Sequence, residues 1–139
     1  MADLFKEKAL AGKVAFGAGA SSGINLGIAQ HFARAGAKIA LISRSHEKIT
    51  AAARTISDEG FEAIGMAADV RDFNSVDPAL ATAQKQLGNF DIVISGAAGN
   101  FVAPALGMSS NGFKTVVDID LIGTFNVLRA SFQYLNRPG

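Results

Sequence analysis

Lys13 to Gly27, KVAFGAGASSGINLG, constrains this chain more than any other stretch. Val14-Ala15-Phe16 is a short apolar run suited to a strand buried on both faces. Gly17, Ala18, Gly19, Ala20, Ser21, Ser22 and Gly23 then break it with small residues. Ile24, Ile28 and Phe32 follow at intervals of four, the spacing of one helix face. The order strand, small-residue turn, helix aims the free N–H groups of a helix N-terminus at the turn. Such an end suits a phosphate or pyrophosphate, and small residues let the anion approach the backbone closely. Gly17 and Gly19 fit the first two places of G-x-G-x-x-G, whereas Ser22 fills the third. The register Gly19-x-x-x-Gly23-Ile24-Asn25 suits the turn better. Taken alone, the pattern serves two structures equally, an anion cradle and a turn that only packs helix on sheet.

The rest of the chain repeats this alternation. Residues 3–11 read as a lead-in helix or turn closed by Gly12, with the first strand at 13–18. A helix over 22–35 follows, with Gly36 as its stop. His31 falls inside it beside Phe32 and reads as a flanking surface residue. Lys38 to Ser43, KIALIS, is a second strand, and Ser45 caps a helix whose inner face is Ile49, Ala52 or Ala53, and Ile56. Gly60 ends that helix, and Phe61 to Val70 is the third strand. The helix over 73–87 turns Val76, Leu80 and Leu87 inward and stops at Gly88, with Pro78 tolerated near its first turns. Phe90 to Ser95 is the fourth strand. After an aperiodic apolar segment at 101–109, a last helix runs from Ser109 or Ser110 to 135. Phe113, Val116, Val117, Asp120, Gly123, Val127 and Leu128 lie along one stripe of it.

Alternation at steps of about 25–30 residues marks βαβ units and a parallel sheet with helices on both faces. The expected fold is α/β, a doubly wound parallel sheet of Rossmann type with strand order 3-2-1-4. A hydrophobic content of 49% with 18% charged residues fits a packed domain rather than a disordered segment. The net charge of +1 supplies no basic surface for nucleic acid or an anionic membrane. Cys is absent, and His31 and His46 share no ligand spacing, so no metal is expected. No apolar run reaches the ~20 residues of a membrane span. MADLFKEKAL has no signal-peptide pattern, so the expected location is cytoplasmic.

Ligands of an open parallel sheet bind beyond the carboxyl ends of its strands. Four loops of small or polar residues, 17–23, 43–45, 69–71 and 95–100, converge there. Gly19, Ser21, Ser22, Gly23, Ile24 and Asn25 are the candidates to surround a diphosphate. An NAD site places an acid after the second strand to accept from the ribose 2′-OH. This chain has Ser43-Arg44 instead, a hydroxyl and a planar fork of donors that suit the 2′-phosphate of NADP(H), unless Arg44 is an ordinary strand-end residue. Asp69, followed by Val70, serves either an adenine amino group or the cap of the next turn. Gly96 to Gly99, with Ala97, Ala98 and Gly99 as site candidates, admit a nicotinamide ribose against the backbone, or form a tight turn.

The GASSGI turn, Ala68-Asp69-Val70, and Phe90 to Ile94 leading into Ala97-Ala98-Gly99 resemble the short-chain dehydrogenase/reductase family across nearly all of the chain. Ala97 to Phe101, Phe113 to Asp120 and Gly123 to Val127 resemble its 2,4-dienoyl-CoA reductase branch. That resemblance implies NADPH as cofactor and hydride delivery to an unsaturated fatty acyl-CoA. Ala18 and Asn25 depart from the family's Thr and final Gly in the turn, and Ser95-Gly96 from its Asn pair. Asp120 stands where many members carry an active-site Asn, and it is the candidate catalytic group. An acid on an apolar stripe needs a partner or a raised pKa, and a bond to nearby backbone serves equally.

The family's Tyr-x-x-x-Lys pair is missing, because Tyr134 has Pro138 four places on. The chain is therefore expected to be one incomplete NADP-binding domain over 1–139, truncated after the fourth strand and its helix. An open fourth-strand edge and an uncovered last helix then favour a homo-oligomer. An NADP-dependent reductase is weighed against a non-catalytic nucleotide-binding or interaction module. The missing acid after strand two counts against an S-adenosylmethionine site. The absence of Gly-Lys-Ser/Thr counts against a phosphate-loop NTPase.

Overall fold

Four apolar runs become four parallel strands, β1 (Val14–Ala18), β2 (Lys38–Ser43), β3 (Ala63–Ala67) and β4 (Ile92–Ser95), in the order β3-β2-β1-β4. They are seen in a computed structural model that describes residues 8–137. Ala18 pairs with Ile42 on one side and Ser95 on the other, and Ile42 pairs with Met66. This register brings the carboxyl ends of all four strands level, so the loops that leave them share one rim.

Helices α1 (Gly23–Arg34) and α2 (His46–Asp58) cover one face of the sheet. Ala15, Ile39 and Leu41 meet Ala29, Ala33, Ile49 and Ile56 there. Alternate residues Phe16, Ala40 and Ile42 point the other way, where α3 (Phe73–Leu87) supplies Val76, Leu80 and Ala83. The change of face falls between β1 and β4, so the crevice opens at that point. Burying a side chain such as Leu41 or Ile42 contributes about 1.5–3 kcal/mol relative to exposure. The helix ends follow local chemistry. Ser45 Oγ accepts from Lys48 N at the start of α2, and Asp72 accepts from Asn74 N at the start of α3.

The lead-in at 3–11 lies partly outside the described residues, and 8–11 form a turn, one of the two forms expected of it. The structure departs from the sequence reading in three places. β3 is shorter than 61–70 because β2, its only partner among the described residues, ends at Ser43 opposite Ala67. β4 is shorter than 90–95, and its edge is not wholly open. Phe90 N donates to Tyr134 O at 2.8 Å and Asn136 N donates to Phe90 O at 2.8 Å, so the segment after the last helix covers its beginning.

The last helix is also not one α-helix. It comprises α4 (Ser110–Val117), a π turn (Asp118–Ile122), α5 (Gly123–Ser131) and a 3-10 turn (Phe132–Tyr134). The residue inserted by a π turn rotates everything after it by roughly 100°. The expected stripe is therefore broken: Ile119, Gly123, Asn126, Val127 and Ala130 are buried, while Phe113, Asp120 and Leu128 are exposed. Gly123 marks where α5 presses on the loop after β3, since an added Cβ would lie 2.5 Å from Val70 Cγ2. Asn126 Nδ2 donates to Val70 O at 2.9 Å beside it.

Candidate functional site

The four strand ends enclose one cavity of about 330 Å³. Its wall takes Gly19, Ser21 and Ser22 from the first loop and Ser43, Arg44 and Ser45 from the second. Ala68, Asp69 and Val70 come from the third, Gly96, Ala97 and Ala98 from the fourth, and Ile119 from the π turn. The convergence expected of loops 17–23, 43–45, 69–71 and 95–100 is thus realised in space.

Gly19 has φ +70, and a Cβ there would lie 2.5 Å from Ala97 Cα. Only glycine lets the first and fourth loops meet at this distance in this conformation. Ser22 is the N-cap of α1 by position, yet its side chain makes no capping bond among the described residues, and no acid lies in the first turn. The amides of that turn remain available to an anion. Ile24 is exposed, and neither Gly23, Ile24 nor Asn25 is part of the cavity wall. Asn25 Nδ2 instead bonds two backbone carbonyls, Gly19 O at 3.3 Å and Gly96 O at 2.7 Å.

On the second loop Ser45 Oγ is occupied by Lys48 N, and Ser43 Oγ donates to Ser45 O at 3.3 Å. Arg44 belongs to none of the ion pairs among the described residues. Its guanidinium is therefore a cation on the wall with no ion-pair partner among the described residues. On the third loop Arg71 grips both carboxylate oxygens of Asp69, with Nε at 3.0 and 3.1 Å and a terminal nitrogen at 2.5 Å. These bonds hold the Asp69 carboxyl below its usual range; burial opposes them, and Arg44 adds a smaller pull. Asp69 Oδ1 also accepts from Arg71 N at 3.0 Å, but the cap of α3 is Asp72.

Asp120 sits in the π turn, and its Oδ1 accepts from Gly99 N at 2.8 Å. The partner required of this acid is thus a loop amide. Gly99 itself packs on Ile119, whose Cδ1 would be 2.5 Å from an added Cβ. Gly99 is not in the wall; Ser45 and Gly96 are, within the loops read from the sequence, together with Ala68 beside Asp69 and with Ile119, which lies outside those loops. Ile119 had no legible signal because the π turn that presents it leaves no mark in the apolar spacing.

Tyr134 lies at the far end of the sheet from the cavity. Its ring stands edge-on to Phe90 at 6.2 Å, beside the start of β4. Burial first, and then Asp77, push its phenol above the usual value. No proton donor for the cavity comes from this tyrosine. Among the described residues no acid, His or Cys cluster could hold a metal, and no helix is long and apolar enough to cross a membrane.

A sequence model described as short chain dehydrogenase matches residues 13–139. The chain belongs to the short chain dehydrogenase family. Membership of this family implies a nicotinamide dinucleotide cofactor. The cavity fits one: a glycine-lined approach, free helix amides and a cation stand along its wall.

Among relatives, the peroxisomal 2,4-dienoyl-CoA reductase of Rattus norvegicus is 43% identical over 131 residues, covering 94% of this chain and 45% of that protein. The Arabidopsis thaliana protein of the same name is 38% identical over 137 residues, covering 97% of this chain and 46% of that protein. The chain spans about half the length of the curated relatives it matches. A solved citronellol catabolism dehydrogenase of Pseudomonas aeruginosa PAO1 superposes with TM-score 0.87 at 27% identity, covering 95% of this chain and 54% of that one. An NAD+-bound xylitol dehydrogenase superposes with TM-score 0.85 at 28% identity, covering 89% of this chain and 48% of that one.

Proposed function

We propose that this chain is the cofactor-binding part of an NADP-dependent oxidoreductase acting on an unsaturated acyl-CoA. The observation that carries the cofactor assignment is Arg44, a cation with no ion-pair partner among the described residues at the end of β2, where an NAD site would carry an acid. In this reading Ser43 and Arg44 hold the 2′-phosphate. The first-turn amides beside Ser21, Ser22, Gly23 and Ile24 hold the diphosphate. Asp69 and Val70 border the adenine, its carboxylate keeping acceptor capacity beyond the Arg71 fork. Ala97, Ala98 and Gly99 lie along the nicotinamide ribose. Bound NADPH supplies a hydride, and the chain's own part is to orient it and exclude water from one side.

The acyl-CoA class rests on the names of the relatives, which are 2,4-dienoyl-CoA reductases. Asp120 acts here through Gly99, steadying the loop under the nicotinamide end rather than supplying the proton. The same proposal treats 1–139 as a single NADP-binding domain and places it in the cytoplasm; the relatives are named peroxisomal, and imaging the tagged chain separates the two.

Self-association belongs to the same reading. Leu121, Phe125, Leu128 and Phe132 are 65, 58, 50 and 60% exposed at positions i, i+4, i+7 and i+11. That is an apolar stripe running from the π turn through α5 to the 3-10 turn, suited to a second copy of the chain.

Titration with NADPH and NADH tests the cofactor, with NADPH expected to bind at least tenfold more tightly, about 1.4 kcal/mol. Equal affinities would reject the role of Arg44. A second reading, a nucleotide-binding module without chemistry, is favoured by the position of Tyr134 away from the cavity. NADPH binding without oxidation by any enoyl-CoA would select it.

A further inference from the structure

We infer that Asn25 is a positioning residue that locks the β1 turn to the loop after β4, fixing the span over which a dinucleotide must lie. The inference rests on the nucleotide reading of the cavity. Asn25 is the third residue of α1 and stands outside the cavity wall. One amide nitrogen supplies both bonds, to Gly19 O at 3.3 Å and to Gly96 O at 2.7 Å. Both acceptors are carbonyls, so only the nitrogen of the amide can face them. Gly19 and Gly96 are wall residues on separate loops. No other side chain among the described residues bonds the backbone of both.

Two further contacts make the lock mutual. An added Cβ at Gly96 would lie 2.5 Å from Asn25 Cγ, so the amide occupies the space that a side chain at 96 would need. Gly19, at φ +70, touches Ala97 in the same loop. The turn and the loop therefore approach as one unit, closed above by the glycine contact and below by the amide. The diphosphate and the nicotinamide ribose contact different halves of this unit. A ligand that reaches both halves gains from their fixed separation, and a ligand that ends at the adenine side does not.

The test uses the 139-residue chain with Asn25→Ala, Gly96→Ala and the double variant. Alanine at 25 keeps the helix and removes both donors. The probes are NADPH and adenosine 2′,5′-bisphosphate, which lacks the nicotinamide half. Asn25→Ala is expected to weaken NADPH about tenfold, the loss of two neutral hydrogen bonds, and the bisphosphate less than about twofold. Gly96→Ala is expected to weaken NADPH by a similar or larger factor, because it displaces the amide. The double variant is expected to be no weaker than the weaker single variant, since either change already opens the lock.

Unchanged NADPH affinity in Asn25→Ala, equal weakening of both probes, or multiplying effects in the double variant would each overturn the inference. A parent chain that binds neither probe would overturn the nucleotide reading itself. A parent that binds both, with the Asn25→Ala ratio unchanged, would overturn the lock alone.

Discussion

Alanine at position 19 is the sharpest probe of how the cavity is built. Gly19 adopts φ +70, and a Cβ would stand 2.5 Å from Ala97 Cα and 2.7 Å from Ala97 N. The left-handed conformation costs a non-glycine residue about 1–2 kcal/mol. Overlap with a backbone that cannot swing aside adds roughly 1–3 kcal/mol. The sum, about 2–5 kcal/mol, corresponds to a fall in Tm on the order of 10–20 °C for a domain of this size. Gly23 supplies the control, with φ +64 and nothing within 4 Å of an added Cβ. Gly23→Ala therefore meets only the conformational cost, about 1–2 kcal/mol, and a fall of roughly 5 °C. Melting curves by circular dichroism separate the two effects, and NADPH titration detects any relief by parting of the loops. If Gly19→Ala melts within about 2 °C of Gly23→Ala and binds NADPH equally well, the close approach of the two loops is refuted.

Two further outcomes are expected. Arg71→Ala frees the Asp69 carboxyl, whose pKa is held low by that guanidinium. A depressed carboxyl contributes stability that is present above its unfolded pKa of about 3.9 and is lost as pH falls through the lower folded value. Urea melts of parent and variant should therefore differ at neutral pH and converge on acidification; a gap that stays constant down to acid pH would contradict the pairing. Phe125→Glu puts a charge in the exposed stripe of α5 and should shift sedimentation toward the monomer, whereas an unchanged distribution would remove that face from self-association.

The sheet was legible because each strand is a short apolar run closed by small residues, and each helix carries its own start and stop. Ser45 caps α2 as its position suggests, and Gly36, at φ +100, follows the end of α1. The four loops could be listed from sequence because strand ends in a parallel sheet share one rim. The features that local pattern does not carry are longer in range or finer in geometry. The stripe from Phe113 to Leu128 has helical spacing throughout, and apolar spacing does not register the one residue inserted between Asp118 and Ile122. That insertion moved Asp120 off the buried face and brought its carboxylate to Gly99 N. Asn25 reads from sequence as a diphosphate candidate standing in place of the family's final Gly, and its role as a tie depends on two carbonyl partners, one of them 71 residues away. The cover over Phe90 comes from Tyr134 and Asn136, a pairing that local pattern does not encode.

Calorimetric titration of the parent chain and Arg44→Ala with NADPH and NADH tests the central claim most directly. A guanidinium on the 2′-phosphate predicts a loss of about tenfold or more for NADPH in the variant and an unchanged NADH affinity. Equal loss for both nucleotides, or no heat with either in the parent, would contradict it.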